Sequence, residues 1–404
     1  MTRLGAVPRG ARELLVGAPL QVKLDRSLAA AEVHAGLAEM LPGLAAELAE
    51  ASTVADPRRR WQLLSALGRT DLVLARLLEG HLDALAILAE AGRSAVPGAL
   101  YGVWASASGG TGLTLRGAAD DDRVSGQGSG GFDGNRQELR PDEQDGLLSG
   151  TMRFCSGALL LDRALTTCRD PAGQLQLLDI GVLDSRLVAV PGSWPALGMD
   201  ASASLDIEVD DLPIGADAVV GTPGFYVERA GLQLGGIGVA AVWLGGVQGL
   251  VDATVRVLGD REPDAHGLAH LGAVSVAVEA AAATMLTAAE RLSGAPVHPV
   301  TGLCDLPAEQ LARIALICRS AVEAAAQVSI QRLPRVVGPV ALGRDGDFAH
   351  RLADLEVFVR QHHAERDLAR LGAAEFAEPW TTGPGSNPAW QFASKPPGFG
   401  PASS

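Results

Sequence analysis

The sequence predicts an α+β chain in three stretches: helices, then a β-rich middle, then a helical bundle. Three observations carry that prediction. Apolar residues recur at three- and four-residue steps from about Ser27 to Gly92. From Tyr101 the pattern becomes short alternating runs separated by Gly, Ser and Asp, as strands and turns require. From Leu232 the helical step returns in long segments. The order lacks the strand–helix alternation that a doubly wound dinucleotide fold needs.

The first stretch holds "SLAAAEVHAGLAEMLPGLAAELAEA" and "RTDLVLARLLEGHLDALAILAEAG", the second stopping on Gly92. His34 and His81 fall inside these helices and read as packing or surface residues rather than ligands. In the middle, "LLSGTMRFCSG", "DRALTTCRD", "LQLLDIGVL", "SRLVAVPG" and "LDIEVDDLPI" read as short strands. Between them, 119–146 is polar and Gly-rich and reads as a surface loop. The last stretch offers "GGIGVAAVWLGGVQGLVDATVRVL", "HLGAVSVAVEAAAATMLTAAERL", "PAEQLARIALICRSAVEAAAQVSIQRL" and "FAHRLADLEVFVRQHHAERDLARLG", the four helices of a bundle. The expected division is 1–100 helical, 101–224 β, 225–372 bundle, and a Pro/Gly/Ser-rich tail over 373–404.

Composition narrows the function. The 404 residues, 47% hydrophobic and 20% charged, suffice for two or three packed units. A net charge of −14 with no basic stripe argues against a nucleic-acid partner. Lys occurs only at 23 and 395, so an anion would be held by Arg forks or helix N-termini. The four cysteines form no C-x-x-C pair, which disfavours zinc ribbons and dithiol redox chemistry and suggests free thiols in a cytoplasmic setting. The N-terminus has no signal-peptide core, and no run of about 18 apolar residues is evident, so no membrane span is expected.

One short stretch raises a chemical question. In "GTMRFCSGALLLDRALTT" two strand-like pieces flank Phe154-Cys155-Ser156-Gly157. A tight turn with Ser156 bonding its own backbone accounts for it. The other reading is a functional strand tip that presents a flat ring and a hydroxyl.

Motifs on either side bear on that choice. "GTMRFCSGA" is similar to a Gly-x-Lys-x-Trp-Ile-Thr-Asn-Gly strand, with Phe154 at the Trp, Ser156 at the Thr and Met152 at the Lys. "PALGMDASASLDIEVDDLPIGADAVVG" is similar to a Leu-Gly-x-Arg-x-Ser segment running on to an Asp-Asp-Val and a Leu-Gly, through Gly198, Ser202, Asp210, Asp211, Pro213 and Gly221, with Asp200 at the Arg. "GGVQGLVDATVRVLG" places Arg256 and Gly259 on a helix motif's Arg and Gly. Together, in order, they make the chain resemble the acyl-CoA dehydrogenase superfamily, as a divergent member, from about Ser27 to Gly372.

The resemblance implies an N-terminal helical domain, a β-barrel-like middle domain and a four-helix bundle. It implies FAD between the last two and a homo-oligomer, dimer or tetramer. It implies that Phe154 packs on the flavin, that Ser156 bonds near N5, and that Arg256 serves the FAD pyrophosphate. The family's first flavin loop falls on "YGVWASASGG": Tyr101 and Val103 match, while Trp104 replaces a Thr and either packs on the ring or fills space.

The resemblance breaks at the catalytic base. Dehydrogenases of this family use a Glu from one of two places. These fall near Arg360–Gln361 and Gly246–Gln248 here, and neither supplies a Glu. Glu365 is the nearest acid in the final stretch. His362 and His363 are then either a solvated helix face or a base and hydrogen-bond donor at the flavin.

Three functions remain. The first is dehydrogenation of an acyl thioester such as an acyl-CoA, with hydride passing to flavin N5 and an electron-transfer partner. The second is a flavin-dependent monooxygenase fed by a flavin reductase. The third is a non-catalytic homologue. The breadth of the resemblance favours the first; the replaced loop and the histidine pair favour the second.

Overall fold

The computed structural model describes residues 11–22, 24, 30–51, 56–105, 112–117, 146–298 and 303–377. The Gly-rich segment, the end of the first flavin loop and the tail beyond Ala377 lie outside them. Among the described residues, four helices come first: α1 (Ala11–Leu15), α2 (Ala30–Ala51), α3 (Pro57–Thr70) and α4 (Leu72–Glu90). Asp56 starts α3 by accepting the Arg59 N–H, with Pro57 at the first helical position. Asp71 ends α3 and starts α4, accepting the Val73 and Leu74 N–H groups at 2.8 and 3.0 Å. One acid thus sets the corner between two helices.

Eight strands follow: β1 (Tyr101–Trp104), β2 (Gly112–Gly117), β3 (Gly146–Cys155), β4 (Arg163–Arg169), β5 (Leu175–Gly181), β6 (Leu187–Ala189), β7 (Leu205–Ile214) and β8 (Val219–Val220). They form one sheet in the order β6-β7-β3-β2-β4-β5-β8, with β1 beside β4. Pairing is antiparallel except where β1 and β2 each run parallel to β4.

The helical return comprises α5 (Phe225–Glu228), α6 (Gly231–Leu258), α7 (Ala265–Ser293), α8 (Ala308–Val337), α9 (Pro339–Arg344), α10 (Gly346–Phe358) and α11 (Glu365–Ala377). The expected fourth bundle helix is therefore two helices. A tight turn over Val359–Gln361 and a left-handed Ala364 (φ 45°) break it at the histidine pair. The helix beyond that break runs to Ala377, past the expected tail boundary. Helices α6 and α7 are also long and apolar enough to cross a membrane by length and composition, contrary to the reading of the sequence. Most of α6 is packed inside the protein, as the core helix of a bundle would be.

Helix α6 packs against α3, α4, α8 and α10. Its approach to α3 is backbone against backbone. A Cβ on Gly68 would sit 2.1 Å from the Val242 carbonyl oxygen, and one on Gly245 would sit 2.0 Å from that of Ser65. Arg69 then pairs with Asp252 across the seam at 2.6 Å. Arg351 of α10 donates to the Arg69 and Thr70 carbonyls at 3.1 and 2.9 Å, capping the end of α3. Most of the core is one contiguous cluster that runs from the N-terminal helices through the sheet to the bundle.

Gly245→Ala is expected to lower stability by at least about 1–3 kcal/mol, because the methyl has no space without separating two backbones. Gly272→Ala, on an open face of α7, is expected to raise it by about 1 kcal/mol. Denaturant unfolding of both variants reads the contrast; equal effects would mean that α3 and α6 do not meet this closely.

Candidate functional site

Strand β3 ends on a bulge. Met152 pairs with Ile207 but Cys155 pairs with Leu205, so three steps on β3 match two on β7. The extra residue turns Phe154 out of the ladder, with φ at 59° and its side chain facing solvent at 48% exposure. A left-handed backbone under a bulky aromatic is costly, and such strain persists where the surroundings impose it. Ser156 N–H donates to the Phe154 carbonyl at 2.9 Å and Gly157 N–H to the Ser202 carbonyl at 2.7 Å. Gly157 (φ 76°) has no room for a Cβ, which would lie 2.9 Å from Leu161 and from Leu77 of α4. The ring of Phe154 meets Trp194 edge-on, at 6.3 Å between centroids.

The hydroxyls beside that ring form a chain with a direction. Ser202 Oγ donates to the Met199 carbonyl at 2.6 Å, which uses its only proton. Its 2.7 Å bond to Ser204 Oγ must then be donated by Ser204. The 2.9 Å bond between Ser204 and Ser156 must in turn be donated by Ser156. Ser156 thus turns its proton inward and its lone pairs outward. The anchor is firm, because Met199 N–H donates to Asp354 of α10 at 2.5 Å. Gly198 stands so close to α10 that a Cβ would lie 2.0 Å from the Ala353 carbonyl oxygen.

Strand β1 divides the other sequence-derived positions between its two faces. Trp104 is buried on the Phe154 side, and its Nε1–H donates to the Ser156 carbonyl at 2.9 Å. Tyr101 and Val103 face the other way, into a small separate cluster with Ile87 and Leu165. Tyr101 is fully buried; its hydroxyl accepts from Val96 N–H at 3.0 Å and donates to Asp179 at 3.3 Å. Its own N–H donates to His81 Nδ1 at 3.1 Å, so His81 is a packing histidine, its basicity lowered by burial. The tyrosine side chain and backbone N–H are thus spent inside the protein.

The histidine pair separates as well. His362 has a fully buried ring: Nδ1 accepts the Ala364 N–H at 3.1 Å, so Nε2 carries the proton and donates to Ser320 Oγ at 3.0 Å. Burial keeps it neutral, against the pull of Asp367. It staples the α10–α11 break to α8. His363 is 54% exposed, with Nδ1 3.5 Å from Asp367.

Arg256 is held by its own chain. Its fork donates to Asp345 at 2.7 and 2.9 Å and to Asp347 at 2.9 Å, which pulls the Asp345 carboxyl down to about 2. Any phosphate must compete with two carboxylates for this guanidinium.

A polar seam between α4, α5 and α6 was not singled out in the sequence. Glu79 is buried on α4, and Arg76 Nη1 donates to it at 2.9 Å. Burial first, with help from Asp83 and against Arg76 and Arg60, raises Glu79 from an ordinary 4.5 to about 7. Asp83, Glu90, Tyr226 and Arg229 continue the seam.

The raised Glu79 has a pH signature. The folded chain keeps this proton between pH 4.5 and 7, where the unfolded chain releases it. Stability from this group is therefore present at low pH and lost as pH rises through that window. Glu79→Gln mimics the protonated form and is expected to gain on wild type between pH 5 and 8, by on the order of 3 kcal/mol. A difference in Tm that stays flat over that range would contradict it.

No family model matches this sequence, and no curated protein does either. Solved structures do. KijD3 in complex with dTDP superposes with a TM-score of 0.66 at 21% identity, over 93% of this chain and 98% of that one. The dibenzothiophene monooxygenase TdsC from Paenibacillus sp. A11-2 gives 0.65 at 16% identity, over 88% and 93%. Butyryl-CoA dehydrogenase from Megasphaera elsdenii gives 0.59 at 15% identity, over 79% and 82%. TdsC has been solved with FMN and indole, and KijD3 with FMN and a dTDP-linked amino-keto sugar. The sequence is divergent and the likeness is one of fold: this chain has the acyl-CoA dehydrogenase fold.

Proposed function

We propose that the chain is a flavin-dependent monooxygenase that takes flavin mononucleotide in its reduced form. The observation that carries the reading is the strand tip, where a strained, exposed Phe154 stands beside a serine that presents only lone pairs. This donor set fits the edge of an isoalloxazine ring. Phe154 would pack on its flat face, and Ser156 Oγ would accept an N–H from its edge. Reduced flavin carries a proton on N5 and oxidised flavin does not, so an acceptor there favours the reduced form. When bound, the flavin supplies the redox step, using dioxygen to place one oxygen atom on the substrate and the other in water.

Two further features support FMN and oxygenation over FAD and thioester dehydrogenation. Arg256, the residue for an FAD pyrophosphate, is already satisfied by Asp345 and Asp347. No carboxylate stands at Arg360–Gln361 or Gly246–Gln248, the places of the dehydrogenase base. His362 does not fill that gap, with both ring nitrogens committed. Its part is to hold the turn before α11; His363 is the exposed member of the pair.

The protein side of the reaction is positioning. The relay through Ser204 and Ser202 fixes the Ser156 hydroxyl, and Trp104 holds its carbonyl. Ser156→Ala is expected to weaken reduced FMN by roughly tenfold, about the 1.4 kcal/mol of one hydrogen bond, and oxidised FMN much less. Titration of both forms under anaerobic conditions reads this. The class of reaction is tested by exposing the flavin-loaded protein to acyl-CoA thioesters without oxygen. We expect no bleaching until NADH and a flavin reductase are added; bleaching by a thioester alone would overturn the reading in favour of a dehydrogenase.

A further inference from the structure

Five non-glycine residues among the described ones have positive φ, and three of them meet at the strand tip: Phe154 (59°), Met199 (57°) and Ala203 (43°). The Gly157 and Ala158 N–H groups donate to the Ser202 and Ala203 carbonyls at 2.7 and 3.3 Å, which seats the turn over 199–203 against the end of β3. Strain of this kind persists where the surroundings over-determine the backbone, and it gathers at functional sites. Phe154 pairs with no residue of β7, so its ring needs a contact from outside the ladder.

Trp194 supplies that contact. Its ring stands at 85° to that of Phe154, in the edge-on arrangement that aromatic pairs prefer. The loop that carries Trp194, between β6 and β7, is tied down at its start. Val190 N–H donates to the Asp206 carbonyl at 2.9 Å, and Ser193 Oγ donates to the Val190 carbonyl at 2.7 Å while accepting the Asp206 N–H at 2.8 Å. Trp194 itself is half-buried against the main core, and its Nε1–H donates to the Met199 carbonyl at 2.9 Å.

That carbonyl is also where the hydroxyl relay from Ser156 ends. It accepts Ser202 Oγ at 2.6 Å and the Ser202 N–H at 3.0 Å. Three donors converge on one oxygen, and the N–H of the same residue is held by Asp354. The ring beside Phe154 and the relay behind Ser156 therefore share one fixed point.

We propose that Trp194 is a positioning residue for the flavin site. It acts through Phe154 rather than on the ligand. By fixing the Phe154 ring from the Met199 carbonyl, it sets the flat face in register with the lone pairs of Ser156, so that a planar ligand meets both at once. The inference rests on the flavin reading of Phe154 and Ser156 and deepens it by naming what holds those two contacts in relation.

Two measurements on the full chain test it. The first compares crystals of wild type and Trp194→Leu grown without flavin. We expect the Phe154 ring to leave its wild-type position; an unmoved Phe154 would overturn the inference whatever the flavin does. Trp194→Phe keeps apolar bulk and loses the N–H to Met199, and its Phe154 is expected to shift in the same sense, which keeps the test open should the leucine variant fail to fold. The second is anaerobic titration with reduced FMN. Trp194→Leu is expected to weaken binding roughly fivefold, the worth of one aromatic edge contact, and to add no loss in a Phe154→Leu background. Equal losses in both backgrounds would mean that Trp194 does not work through Phe154, and would overturn the assignment. A wild-type chain that binds no FMN would sink the flavin reading instead, and the crystals would still decide the part played by Trp194.

Discussion

The contact on which the molecule depends is the backbone-to-backbone seam between α3 and α6. Helices carrying ordinary side chains stay 8–10 Å apart, and small residues let them come closer. Gly68 and Gly245 remove the side chains at the crossing, so each backbone rests on the other's carbonyls. Asp71 then fixes where α4 leaves α3. With α3 seated on α6, α4 must run alongside α6, its Leu72 against Gly246 and its Asp83 against Gly235. The charged seam at Arg229 is a consequence of that register.

The same helix governs the strand tip. Leu77 closes on Gly157, and Gly157 bonds the turn that carries Ser202. That turn is pinned to α10 through Asp354 and Gly198. The bulged end of β3 is therefore held from the N-terminal helices on one side and from the bundle on the other. A strained Phe154 needs such support, since an isolated strand end would relax to negative φ. The hydroxyl chain inherits its direction from the same anchor, because its last acceptor is the Met199 carbonyl.

How much of this the sequence disclosed varied with the range of the forces involved. Strands β3 and β7 were legible because each is buried mainly on one face, which imposes alternation, while β4 and β5, buried on both faces, read as short apolar runs between turns. Phe154 and Ser156 were legible as a break in that alternation. The end of the bundle was misread because the helical spacing of apolar residues continues through Val359–Ala364; only the positive φ of Ala364 and the burial of His362 interrupt it. Arg256 carried a motif, but its carboxylate partners lie about 90 positions on, where no local pattern exposes them. Tyr101 matched a motif yet points into the core, because a period of two decides faces and a motif match does not. The charged seam at Arg229 has no sequence signal at all, since its members come from α4 and from the turn between α5 and α6.

The seam also constrains what can lie along α4. From Leu77 towards Glu90 the helix turns Glu79, Asp83 and Glu90 towards α5 and α6, where Arg76 and Arg229 meet them. These charges are buried against one another, so an alkyl chain that parted a pair would return no hydrogen bond, a cost of several kcal/mol for each ion left unmatched. A dehydrogenase that grips a fatty acyl group gains from the opposite lining.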